Sequence, residues 1–84
     1  MVIKMNSKSV LSQLSVGEEA VVTSLDVKGR MRRRLQDLGI IKGTRVKCAF
    51  HAPFGDPTAY EIRGTLIALR SEDADKISIK PPQG

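Results

Sequence analysis

The chain has 84 residues, with 14 Lys and Arg against nine Asp and Glu for a net charge of +5, and 40% of it is hydrophobic. That is enough for one domain with a small core and argues against a large internal active-site cavity. No apolar run nears the ~18 residues of a membrane span, Met1–Met5 is too short for a signal-peptide core, and a lone cysteine without an internal disulfide partner suits a reducing cytoplasm.

Residues 1–8 show no clear period and read as a flexible N-terminal extension. Ser9 is placed to cap a single helical turn, Val10 to Leu14, that lays Leu11 and Leu14 on a core. Val16-Gly17-Glu18 then turns the chain into a strand of about Glu19 to Val27. Its alternation slips between Val22 and Leu25, the mark of a bulge or a bend.

The next stretch, about residues 28–38, is the one convincing helix. Met31, Leu35 and Leu38 fall at i, i+4 and i+7, so one side is apolar, while Arg30, Arg33, Arg34 and Asp37 point elsewhere. Gly39 suits the left-handed residue that closes a helix, and it places Ile40 and Leu35 as the hydrophobic pair that accompanies such a cap. Ile41-Lys42-Gly43-Thr44 reads as a type II turn. Lys28 to Lys47 holds eight basic residues and one acid, Asp37, so this segment carries +7 and the remainder −2.

Arg45 to His51 alternates, with Val46, Cys48 and Phe50 expected inward and Arg45, Lys47 and His51 outward. Ala52 to Pro57 is loop by composition. Ala59 to Arg63 is a strand with Tyr60 and Ile62 inward, Gly64 breaks it, and Thr65 to Leu69 resumes as a nearly continuous apolar strand. Ser71 is placed to cap a short acidic turn, Glu72 to Ala74. Lys76 to Lys80 closes the domain with Ile77 and Ile79 inward, leaving 81–84 as a tail. Five strands spaced this closely leave no room for crossover helices, so the fold class is mainly β: a small antiparallel barrel with one inserted helix and a short N-terminal helical turn.

Four strings together resemble the FeoA family of small cytoplasmic accessory proteins of bacterial ferrous-iron transport. They are Leu11-x-x-Leu14-x-x-Gly17-Glu18, Arg33-Arg34-Leu35-x-x-Leu38-Gly39-Ile40-x-x-Gly43-Thr44, Gly55-Asp56-Pro57, and Arg63-Gly64-x-x-Ile67-Ala68-Leu69-Arg70. The resemblance covers about Leu11 to Lys80 and implies an SH3-like barrel. It also implies a cytoplasmic protein that attaches to the cytosolic part of a polytopic Fe(II) transporter bearing a GTPase domain. A similar domain closes some iron-dependent repressors, so architecture alone does not settle the role. Lys42 departs from the proline often found at that place in the family, and residues 1–10 extend beyond the usual start.

The residues themselves offer little chemistry. No nucleophile sits beside a base and no Gly-rich phosphate loop opens a helix, so no catalytic residues are assigned. Cys48 and His51 form a C-x-x-H, but a regular strand would put them on opposite faces, and a stable site wants three or four ligands. No metal or cofactor is therefore assigned; Glu72, Asp73 and Asp75 offer at most a weak Fe(II) or other divalent-cation contact. Cys48 is expected in the core.

The basic segment admits a solvated helix face with an Arg33–Asp37 pair, an acidic partner or membrane-proximal surface, or nucleic acid. The last is disfavoured, because Phe50 and Tyr60 are expected inward and only Phe54 free to stack a base. One arginine, Arg34 first, is expected to lay its stem over the barrel. The contact residues expected on these grounds are Arg30, Arg33 and Arg34 on the helix, with Phe54, Gly55, Asp56 and Pro57 on the loop. Gly39, Gly43 and Gly64 set the shape. Exposed strand edges are compatible with a monomer or a weak homodimer.

Overall fold

The computed structural model describes residues 8–82; the expectations for the first seven residues and for the last two lie outside it. A 3-10 turn, Leu11–Gln13, is followed by β1 (Glu19–Leu25), α1 (Gly29–Asp37), β2 (Arg45–His51), β3 (Thr58–Ile62), β4 (Thr65–Leu69), α2 (Ser71–Ala74) and β5 (Ile77–Lys80). The strands make one antiparallel sheet in the order β4-β3-β2-β1-β5. Val10 bridges Ser78 on the far side of β5, and the Ile79 amide donates to the Ser9 carbonyl at 2.9 Å, so the N-terminal segment covers part of that edge. Lys8 pairs with Glu18, which holds the Glu18 carboxyl below its usual pKa.

All five strands contribute to one core, joined by Leu11 and Leu14 from the N-terminal segment, Leu35 from α1 and Ala74 from α2. Leu35 and Ile40 are completely buried, and removing one such side chain from water contributes roughly 1.5–3 kcal/mol. The pair is brought together by the way α1 ends. Gly39 has φ +96°, its amide donates to the Gln36 carbonyl at 2.9 Å, and the Ile40 amide donates to the Leu35 carbonyl at 2.9 Å. That is the Schellman arrangement that the spacing predicts.

The turn that follows is fastened on two sides. The Thr44 amide donates to the Ile41 carbonyl at 3.0 Å, with Gly43 at φ +92°, as a type II turn requires. The Thr44 hydroxyl donates to the Gly39 carbonyl at 2.9 Å and accepts from the Ile41 amide at 3.1 Å. Gly43 and Val22 then stitch the turn to β1, through Gly43 N–H to Val22 O at 2.7 Å and Val22 N–H to Thr44 O at 2.9 Å. Arg63 and Gly64, both at positive φ, close a two-residue hairpin between β3 and β4, the geometry that matches strand twist.

Several expectations need correction. Leu38, three residues beyond Leu35, caps α1 where the chain turns away, and it is 38% exposed and no core residue. Phe50 faces out at 52% exposure because the β2–β3 register shifts between Cys48 and Phe50; the extra residue, Ala49, reverses the alternation. The same shift returns His51, paired with Thr58, to the side of Cys48, so the opposite-face argument fails. Cys48 is nevertheless fully buried, whereas His51 is exposed, its Nδ1 2.7 Å from the Thr58 hydroxyl oxygen. Neither serine caps its helix. Gln13 Oε1 accepts from the Ser9 and Val10 amides at 2.6 and 3.1 Å, and Ser71 is the first residue of α2. The slip in β1 is the bulge expected there, between Val22 and Ser24 in the pairing with β5.

Candidate partner-binding surface

Helical geometry divides the arginines of α1 among three directions. Leu35 and the half-buried Met31 face the core. Arg30, Arg33 and Asp37 share the opposite face, since residues three and four apart stack along a helix. Arg32 and Gln36 lie on the flank toward β1, and Arg34 lies on the flank toward α2. All of these polar residues are exposed.

The expected Arg33–Asp37 pair does not form; among the described residues the ion pairs are Lys8–Glu18 and Arg45–Glu19. The arginine that reaches back onto the sheet is Arg32, whose guanidinium donates to the Leu25 carbonyl at 2.8 Å. Arg34 instead lines a small cleft of about 140 Å³ with Met31, Ala68, Leu69, Arg70 and Asp73. Among the described residues, Arg30 and Arg33 are left as the free outward pair.

On the loop, Phe54 is 98% exposed, the most open large apolar side chain among the described residues. The loop behind it is built. The Gly55 amide donates to the Ala52 carbonyl at 2.7 Å with Gly55 at φ +90°, the Ala52 amide donates to the Pro57 carbonyl at 3.0 Å, and the Asp56–Pro57 peptide is cis. Asp56 is committed to the fold. Its Oδ1 accepts from the Ser71 amide at 2.7 Å and from the Ser71 hydroxyl at 3.0 Å, which caps α2 from outside that helix. The β3–β4 hairpin brings the two together, because its register, with Thr58 facing Leu69, sets position 56 opposite position 71 when carried two residues further.

The loop thus adjoins the start of α2, and the Arg34 cleft adjoins Arg70 and Asp73 of the same region. Phe50, Leu66 and Ala68 add exposed apolar surface on the outer face of the sheet, in register across β3 with Ala59 and Glu61. Among the described residues no three His, Cys, Asp or Glu side chains gather as metal ligands. Asp75 accepts from the Ser12 hydroxyl, which ties part of the acidic turn to the N-terminal segment. No helix of the described residues is long and apolar enough to cross a membrane.

The FeoA domain family matches residues 10–81. A Porphyromonas gingivalis Fe(2+) transport protein A/Fe(2+) transporter FeoB fusion protein is 34% identical over 70 residues, which cover 83% of this chain; the chain spans only 8% of that relative's length. The solution structure of FeoA protein from Chlorobium tepidum superposes with a TM-score of 0.83 at 37% identity, covering 89% of this chain and 71% of that one. Stenotrophomonas maltophilia FeoA complexed with zinc, described as a procaryotic SH3 domain protein, has a TM-score of 0.73 at 31% identity, covering 88% of this chain and 91% of its own. The fold is therefore the SH3-like one that the resemblance implies. With the sequence match spanning nearly all the described residues and solved relatives sharing the architecture, this chain belongs to the FeoA family, which is associated with ferrous-iron transport.

Proposed function

We propose that this chain is a non-enzymatic accessory protein of bacterial ferrous-iron uptake, working in the cytoplasm by binding the cytosolic, GTPase-bearing part of the Fe(II) transporter. The observation that carries this reading is the Porphyromonas gingivalis fusion, in which a segment similar to this chain shares one polypeptide with the transporter. Fusion holds two partners at high effective concentration and adds no contact of its own. The linkage in that relative therefore supports an interaction between the two parts.

The surface suits that task. Arg30 and Arg33 point outward without an intramolecular ion pair among the described residues, and Phe54 offers an exposed apolar anchor on a braced loop. Arginine and aromatic side chains concentrate binding energy at interfaces, and clustered charge speeds encounter with an acidic partner. Gly55, Asp56 and Pro57 shape the loop that presents Phe54. Calorimetric titration of the chain into the transporter's cytosolic domain, at low salt and with or without guanine nucleotide, tests the reading. Heat of binding in either state supports it, and no binding in both removes it.

A second reading gains one observation. With Phe50 exposed, two aromatic rings are available to stack bases, against the single one expected. Nucleic-acid binding predicts retardation of a DNA or RNA fragment that weakens steeply between two salt concentrations. No retardation at either concentration retires it.

A further inference from the structure

We infer that the cleft between α1 and the bulged half of β1 is a docking pocket for an acidic segment of a protein partner. The inference rests on the accessory-protein reading above, and it assigns recognition to a flank of α1 other than the one bearing Arg30 and Arg33. The cleft measures about 550 Å³ and is lined by Thr23, Ser24, Arg32, Gln36, Ile41 and Lys42 over a floor of Leu25. A volume of this size accommodates a few residues of an extended chain.

Its chemistry is one-sided. Two cations and no acid line it, and neither Arg32 nor Lys42 joins an ion pair among the described residues. Arg32 spends one guanidinium donor on the Leu25 carbonyl. That bond fixes the head group and leaves other donors of its fork free, so little rotamer freedom remains to be lost on binding. Thr23 is the residue skipped in the ladder between Val22–Ile79 and Ser24–Ser78, and beyond Val22 the turn Ile41–Thr44 crosses where β2 would have continued. The sheet is thereby interrupted where two hydroxyls, an amide and two cations converge.

Ile41, 42% exposed, supplies an apolar rim beside them. A carboxylate flanked by an aliphatic side chain matches this combination. A nucleic-acid strand matches it poorly, because no aromatic ring lines the cleft to receive a base.

The test follows backbone amides of the full, isotopically labelled chain at low salt. The probes are an end-blocked Asp-Leu-Glu-Leu-Asp peptide, its Asn-Leu-Gln-Leu-Asn counterpart and a single-stranded DNA oligonucleotide. The acidic peptide is expected to shift Thr23, Ser24, Gln36 and Ile41, and the amide peptide to bind at least about tenfold more weakly. Lys42→Glu, an exposed turn position, should weaken the acidic peptide roughly tenfold with an otherwise unchanged spectrum, while Lys47→Glu, outside the cleft, should not. Shifts confined to other residues, no shifts, equal binding of the amide peptide, or tighter binding of the oligonucleotide at the same amides would each overturn the assignment. A transporter domain that does not bind the chain at all, while the acidic peptide still seats at these amides, would sink the partner reading and leave the pocket standing; one that binds without displacing the peptide would overturn the pocket's assignment to that partner.

Discussion

Asp56 holds the first turn of a helix fifteen residues further along the chain, its Oδ1 accepting both the amide and the hydroxyl of Ser71. α2 has only four residues, and Arg70 at its N-cap gives no side-chain bond, so this carboxylate is what satisfies the opening amide. Behind it Ala74 is completely buried and β5 begins at Ile77. Asp56→Ala should therefore destabilise the fold by about 1 kcal/mol, and Asp56→Asn by less, since an amide oxygen still accepts. Urea denaturation of the two variants decides this; equal stability of Asp56→Ala and the parent would mean that the cap is idle. The same data bear on binding, because lost affinity in Asp56→Ala can come from a loosened loop rather than a lost contact.

Gly39→Ala isolates the backbone from packing. A Cβ at Gly39 would sit 3.8 Å from the Arg63 side chain, an ordinary contact, so the penalty comes from φ +96° alone. That conformation costs an L-residue roughly 1–2 kcal/mol. In a domain of this size the melting temperature should fall by about 4–8 °C for each kcal/mol. A thermal melt within about a degree of the parent would show that α1 ends differently in solution.

What could be read in advance was local. Leu35, Gly39 and Ile40 lie within six residues, and helix closure depends on nothing outside them, so the Schellman cap was legible. Thr44 was legible as a turn residue; its hydroxyl bridge between Gly39 and Ile41 was not. Phe50 was misplaced because alternation assumes an unbroken ladder, and whether Ala49 bulges is decided by the partner strand β3. Leu38 kept the helical spacing while the chain left the helix at that residue. In the candidate site, the exposure of Phe54 followed from its Pro/Gly loop. The Asp56–Ser71 contact extends the β3–β4 register, so it becomes legible only when Arg63-Gly64 is read as a two-residue hairpin turn rather than as a break; the bond from Arg32 to Leu25 depends on how α1 packs against β1.

Alkali should lower the stability of this domain over two successive pH ranges. Burial pushes the Cys48 thiol above its usual range and Tyr60 from 10.0 up to about 12. Both groups hold their proton more tightly folded than unfolded, so as pH rises the unfolded chain ionises first and stability falls. The contribution is complete below the ordinary thiol range, declines above it, and declines further between about pH 10 and 12 as Tyr60 enters. Urea midpoints measured from pH 7 to 11.5 should show this, with Tyr60→Phe flattening the upper part. At neutral pH that substitution should cost little, because the phenol reaches the Leu11 carbonyl only at 3.5 Å. A midpoint independent of pH across that range would contradict the burial of both groups.

Two neighbouring arginines should separate stability from recognition. Arg32→Ala removes the bond to the Leu25 carbonyl and should cost about 1 kcal/mol. Arg33→Glu removes no such contact; its stability should stay within about 0.5 kcal/mol of the parent, with a small share of any loss coming from repulsion by Asp37 one turn on. Its association with the transporter's cytosolic domain should slow severalfold at low salt and converge on the parent at high salt, the behaviour of a steering charge. Stopped-flow association at two ionic strengths, beside urea curves, reads both effects. An unchanged association rate for Arg33→Glu would remove the outward face of α1 from the interface.

Phe54 offers the sharpest separation, because it is 98% exposed and packs against nothing whose loss could destabilise the fold. Phe54→Ala should leave the urea midpoint unchanged, since surface substitutions away from caps and cores fall within about 0.5 kcal/mol. An aromatic anchor seated in a partner's pocket is worth about 2 kcal/mol or more on truncation, so affinity for the transporter domain should drop by roughly thirtyfold. Phe50→Ala supplies the contrast. Its ring is half covered on the sheet beside Ala59, and its removal should cost stability before it costs affinity. Full affinity in Phe54→Ala would assign the exposed ring no part in binding and leave recognition to the arginines of α1.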